Sequence, residues 1–291
     1  MSKITARLFT DPSCPWGYSA SPSLRRIEWR YRDQIDWQLV TIGLSDPVAA
    51  PPKASPTGYA QLWLKLRERF GMPFAVEPKV RTATSSRACQ AIVATRMLQP
   101  GFEWRVLRTL QLLQFNTPLL LDDEDQLRAA LSSVGGLNLD LIMSQLDSAG
   151  VRSACIADWS EARNPEGGAA SLQNKTVLAQ GNERHSAPSI IFSRDGRSIE
   201  AGGFQPVQAY DVIVANLGPD LSRARPAEDP LEALALYPGG LSTQEVAAIT
   251  SDCNDMPDRT GTERRLLELS GENRVRRVAM GNDAIWLAAR G

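Results

Sequence analysis

Cys14 stands in the run Thr10-Asp11-Pro12-Ser13-Cys14-Pro15-Trp16-Gly17-Tyr18, between a short apolar stretch and a segment of helical periodicity. A strand that feeds an Asp-Pro turn and then a helix puts this thiol at the first helical turn. There the unpaired backbone N–H groups and the positive end of the helix dipole favour the thiolate. Thiols so placed have pKa values of roughly 3.5 to 7.5, against about 8.5 when free, and are nucleophiles at neutral pH. Pro15 suits an early helical position, where its missing N–H costs nothing. The competing reading of Cys14 is a small buried hydrophobe, as free cysteines often are. A dithiol motif would carry a second cysteine at the fourth position. Gly17 stands there, so no disulfide closes across the turn.

The 291 residues are 43% hydrophobic and 22% charged with net charge −1, the composition of a globular chain long enough for one large domain or two smaller ones. Nothing in that balance calls for an acidic partner. The cysteines at 14, 89, 155 and 253 include no pair two residues apart, and His185 is the only histidine, so neither a disulfide framework nor a metal site is expected. No apolar run reaches about 18 residues and no cleavable leader pattern is visible. A cytoplasmic protein without membrane contact is the expectation.

The elements that must position Cys14 follow in order. Residues 3–10 read as a first strand, 23–31 as a helix, and 35–44 as a second strand, a βαβ unit with parallel strands and a right-handed crossover. A Pro- and Ala-rich loop (45–57) precedes helical periodicity over 58–69, whose stripe of Tyr59, Trp63 and Phe70 reads as core. Residues 84–163 are helical almost throughout, too long a block for a loop. Beyond a polar stretch, residues 186–192 and 198–201 flank Asp195-Gly196 as a hairpin, and Gly202-Gly203-Phe204-Gln205-Pro206 leads to a helix over 207–217.

That order, with Cys-Pro-Trp at the first helix and Ala187-Pro188 opening the third strand, resembles the α/β thioredoxin-like fold in its DsbA-like form, which carries a large helical insertion. Asp11 to Tyr18, Ser186-Ala187-Pro188-Ser189 and the Gly-Gly-Phe-Gln-Pro run are similar to those of FrnE-like dithiol-disulfide isomerases. Kappa-class glutathione transferases and 2-hydroxychromene-2-carboxylate isomerases share the layout. The resemblance covers roughly residues 3–220, with the insertion at about 58–163. It implies a cis-proline at Pro188 facing Cys14, a backbone at Ala187 that pairs with a thiol-bearing peptide or glutathione, and a Cys89 near the thiol. Cys89 is then either a resolving cysteine or structural. His185, three residues before Pro188, is either a proton shuttle or a loop residue, and Trp16 is a packing residue or a rim for substrate. No tightly bound cofactor is implied; glutathione or another low-molecular-weight thiol is the expected co-substrate.

Residues 226–291 lie beyond this fold. Three short helices and a hairpin make a winged-helix-like layout, but with seven arginines, no lysine and eleven acidic residues the tail lacks the basic footprint of a DNA reader. The tail is expected to pack on the main domain or to contact a protein partner, and the core to stay folded without it. Two function classes follow: a thiol-disulfide oxidoreductase or isomerase with one active thiol, which includes glutathione-dependent chemistry of the kappa type, or a non-catalytic adaptor on a degenerate scaffold.

Overall fold

The computed structural model describes residues 2–44, 54–165, 168–179, 182–252 and 254–289; Cys253 and most of the Pro-rich loop lie outside them. Apolar alternation makes β1 (Ile4–Thr10), with Ile4, Ala6 and Leu8 buried. The chain then forms α1 (Pro15–Ser19) and α2 (Ser21–Tyr31) and returns as β2 (Ile35–Thr41), parallel to β1 with Leu8 opposite Leu39. The first helix thus begins earlier than expected and in two pieces. The second strand stops short of residue 44, with Gly43 at a φ of 63° just beyond it.

Six helices follow: α3 (Pro56–Phe70), α4 (Ser86–Leu98), α5 (Glu103–Asn116), α6 (Glu124–Leu131), α7 (Leu139–Gln145) and α8 (Ala149–Ala162). Ser55, Asp123, Asn138 and Ser148 cap α3, α6, α7 and α8 with their side chains. The last five helices enclose a core of their own around Ile92, Leu110, Leu127, Ile142 and Cys155. The chain continues through α9 (Ala169–Leu172), β3 (Thr176–Ala179), β4 (Asn182–His185), β5 (Ser189–Arg194), β6 (Arg197–Ala201) and α10 (Val207–Leu217). Asp195 and Gly196, both at positive φ, close the β5–β6 hairpin as an Asp-Gly pair does in a two-residue turn. The β3–β4 hairpin was not expected, because the polar run before His185 lacks the alternation that marks a strand.

The main sheet has the order β2-β1-β5-β6, with β5 and β6 antiparallel to their neighbours. One face packs Ile4, Ala6 and Leu8 against Ile27 and Tyr31 of α2 and Tyr210 and Val214 of α10. The other packs Phe9, Val40 and Ile42 against Ala162 at the end of the insertion.

The tail forms α11 (Pro230–Leu236), β7 (Leu241–Ser242), α12 (Thr243–Ile249), α13 (Arg259–Gly271), β8 (Val275–Met280) and β9 (Asp283–Ala288), with strand order β7-β9-β8. The three helices and the hairpin are those expected; β7 is additional. The tail packs on the core through α2, whose Trp29 is part of the tail's apolar cluster with Val246, Leu266 and Trp286. Trp29 Nε1 donates to Arg225 O (2.8 Å) and Arg26 Nε to Ala248 O (2.6 Å). Glu245 of α12 is wholly buried, accepts from Arg108 Nη2 at 2.5 Å and from Ser21 Oγ, and closes a capping box with Ser242. Burial alone would raise this carboxyl, but Arg108, Arg25 and the Ser21 and Ser242 hydrogen bonds hold it below its usual value.

A core that folds without its tail is therefore no longer the expectation. Deleting residues 226–291 strips Trp29 of its cover and Arg108 of its carboxylate, and the truncated chain should lose its cooperative thermal transition by circular dichroism. Glu245→Gln should cost about 3–5 kcal/mol in urea unfolding at pH 7, the usual cost of removing one partner from a buried pair. The folded carboxyl titrates below its unfolded value of about 4.3, so the Glu245 contribution is present above that value and fades as pH falls through the folded one. The gap between wild type and variant should narrow on acidification.

Candidate active site

The carboxyl end of β1 runs straight into the turn that carries the thiol. Asp11, fully buried, accepts Cys14 N on its carbonyl (3.0 Å). Its Oδ1 accepts Ser13 N (2.8 Å) and Ser13 Oγ (2.6 Å), and its Oδ2 accepts Leu44 N (2.8 Å), Ser85 Oγ (3.0 Å) and Cys89 Sγ (3.5 Å). Cys14 is the N-cap of α1, with Pro15 at the first helical position and Gly17 N donating to Sγ at 3.3 Å. The turn expected from sequence is present, and so is the backbone donor that favours a thiolate.

Burial outweighs that donor. Cys14 is only 3% exposed, and burial pushes its thiol up to about 12; the Gly17 N–H, the Trp16 N–H and the Arg184 guanidinium pull it down, while the Asp11 charge pushes it further up. The turn thus holds the donor that an activated thiolate calls for while burial opposes that state, and Cys14 Sγ donates to Ala187 O at 3.4 Å. Ala187-Pro188 is a cis peptide, as the resemblance implied. Ser189 Oγ fastens this loop, donating to Ser186 O (2.6 Å) and accepting Gly203 N (2.9 Å). Trp16, Phe70 and Phe204, all partly exposed, meet with ring centroids 4.6–6.0 Å apart, so Trp16 is a packing residue.

His185 is neither a loop residue nor bonded to the thiol. It ends β4, is 3% exposed, stacks on Phe9 at 4.4 Å, and holds Nδ1 2.9 Å from Glu200 Oε1, a separation that one shared proton makes a hydrogen bond. Burial makes it less basic, with Glu200 opposing. Cys89 is buried on α4 with its Sγ on Asp11; Cys14, Cys89 and Cys155 are all free thiols, and burial keeps Cys89 well above its ordinary pKa. Among the described residues no cluster of His, Cys, Asp and Glu could hold a metal ion.

Three residues of the site were missed. Asp11 read only as a turn former, Arg184 only as part of a polar stretch, and Thr10 as the last residue of a strand. A Cβ at position 17 would lie 2.5 Å from Thr10 Oγ1 and 3.6 Å from Cys14 Cβ, so Thr10 fills the space a second cysteine needs. Behind the turn, Thr10, Gly17, Arg25 and Arg108 help line a cavity of about 40 Å³.

No family model and no curated protein matches the chain. Solved structures do. A candidate protein disulfide isomerase from Nitrosomonas europaea superposes with a TM-score of 0.58 at 13% identity, covering 74% of this chain and 97% of its own. A candidate DsbA oxidoreductase from Streptomyces coelicolor gives 0.55 at 15% identity, covering 77% and 94%. At these identities the likeness is one of fold: the chain has the DsbA-like thioredoxin fold with its helical insertion.

Because the raised thiol pKa leaves little thiolate at neutral pH, native Cys14 should react with iodoacetamide at pH 7.5 more slowly than the same residue in urea. A rate that saturates below about pH 7.5 would restore the activated thiolate. A folded pKa above the unfolded value of about 8.5 also means that stability is intact below that value and lost as pH climbs beyond it. Cys14→Ser should lose less stability than wild type over that alkaline range.

Proposed function

We propose that the protein is a thiol-disulfide oxidoreductase that works through one thiol, Cys14. The observation that carries this reading is the pairing of Cys14 Sγ with Ala187 O beside cis-Pro188, with Gly17 where a second cysteine would stand. In the first step the Cys14 sulfur attacks a disulfide R–S–S–R′; a Cys14–S–S–R bond forms, the S–S bond breaks, and R′ leaves as a thiol carrying the proton that Cys14 gives up. A second thiol R″–SH then attacks the R sulfur of the mixed disulfide; an R–S–S–R″ bond forms, the Cys14–S bond breaks, and Cys14 regains the proton that R″–SH gives up. Glutathione or a similar small thiol serves as that co-substrate, and a peptide or small molecule as the other partner. Release by an external thiol suits the cytoplasm, with its reduced thiol pool. Among the described residues no helix is long and apolar enough to cross a membrane.

The Asp11–Tyr18, Ser-Ala-Pro-Ser and Gly-Gly-Phe-Gln-Pro runs support a place near the FrnE-like isomerases. A second reading, a binding protein on a degenerate scaffold, draws its support from the burial of Cys14 and its raised thiol.

Incubation of the wild type with oxidised glutathione should yield a one-to-one adduct on Cys14 by peptide mass mapping, absent in Cys14→Ser. A Cys14–Cys89 disulfide instead would show that the insertion supplies a resolving thiol, and no adduct at all would leave the binding reading. Gly17→Cys alone should fail to form an internal disulfide, because its Cβ meets the buried Thr10 hydroxyl. With Thr10→Ala added it should form one, since the 3.6 Å between Cβ positions lies in the disulfide range of about 3.5–4.5 Å. Thiol titration before and after reduction reads both results.

A further inference from the structure

We propose that the site around Cys14 selects thiols and disulfides that carry a carboxylate, with Arg184 and Arg163 as the pair that holds it. The proposal deepens the exchange reading above and rests on it. Arg184 lies on β4, three residues before the Ala187 carbonyl that accepts the hydrogen bond of the Cys14 thiol. It is 7% exposed, and Nη1 donates to His185 O at 2.7 Å. Arg163 follows α8 and reaches the carboxyl end of β2, with Nη1 on Ile42 O (3.0 Å) and Trp159 O (3.1 Å) and Nη2 on Gly43 O (3.5 Å). Ile42 N in turn donates to Thr10 O, and Leu44 N to Asp11, so this guanidinium stands against the thiol turn.

Every acceptor for these two arginines is a main-chain carbonyl. Neither makes an ion pair among the described residues, and the Nε of each, with Nη2 of Arg184, is not sealed from solvent. Burial makes Arg184 a weaker base, Cys14 opposes this, the Arg163 charge adds to it, and Asp11 opposes it again. Asp11 is the nearby acid, but its oxygens are taken up by Ser13, Leu44, Ser85 and Cys89. Arg184 is buried and Arg163 half-buried, and an anion held between two guanidinium groups offsets the cost of keeping them charged there. A guanidinium takes a carboxylate through two parallel hydrogen bonds. The carboxylate is one attached to the reacting sulfur compound, because the sulfur is received at Cys14 beside Ala187, three residues along the chain from Arg184. The aromatic group of Trp16, Phe70 and Phe204 supplies an apolar wall to the site.

Iodoacetate and iodoacetamide share one chemistry and differ in charge, so the ratio of their rates at Cys14 reports anion recognition and cancels the reactivity of the sulfur. In the full-length protein this ratio should exceed that of the urea-unfolded chain by about tenfold, the effect of one charge-assisted hydrogen bond. Arg184→Gln and Arg163→Gln should each lower it, and Arg184→Lys should retain part of it. Oxidised glutathione should likewise form the Cys14 adduct faster relative to cystamine, which has amines in place of carboxylates, and Arg184→Gln should erase that preference. A wild-type ratio equal to that of the unfolded chain overturns the proposal whether or not the variants fold; so does a ratio indifferent to both substitutions. Failure of every disulfide to label Cys14, with iodoacetamide still reacting, would instead sink the exchange reading itself.

Discussion

The carboxylate of Asp11 is the constraint on which the rest of the site depends. A carboxylate out of contact with water must collect donors, and the donors come from three places: Ser13 in the thiol turn, Leu44 beyond β2, and Ser85 and Cys89 at the start of α4. The same residue's carbonyl sets the position of Cys14 N. The insertion is therefore not an ornament on the sheet. Until α4 has docked, the buried carboxylate lacks two of its donors, and the turn that presents the thiol is incomplete.

A comparable dependence operates on the outer side of α2. The helix that follows the thiol turn has one side in the sheet's core through Ile27 and Tyr31, and another in the tail's core through Trp29. Arg26 and Ser21 on the same helix reach Ala248 and Glu245. The tail is a second wall for the active-site helix.

Periodicity and turn chemistry made most of this fold legible. β1, β2 and the β5–β6 hairpin follow from alternation and from Asp195-Gly196, and the helices of the insertion from their apolar spacing and capping residues. The Cys14 turn and the cis-proline opposite it were legible through short motifs. What escaped depends on contacts between residues far apart in the chain. The state of the thiol is decided by how deeply the fold buries it, which no local pattern reports. His185 looked like a loop residue because its polar neighbours hide the β3–β4 pairing, yet Phe9 and Glu200 make it part of the interior. Arg184 belongs to the site through a strand pairing that the composition of residues 173–185 does not announce.

Thr10 and Gly17 carry a consequence for how such a chain changes over generations. Thr10 is buried and β-branched, a side chain with few alternative rotamers, and its hydroxyl stands where any side chain at position 17 would begin. The two positions are thus epistatic. A cysteine gained at 17 meets a steric barrier unless a smaller residue has already arrived at 10, so the route between a one-thiol and a two-thiol chain has a preferred order of steps. Related sequences should show positions 10 and 17 varying together, although one lies on a strand and the other on a helix.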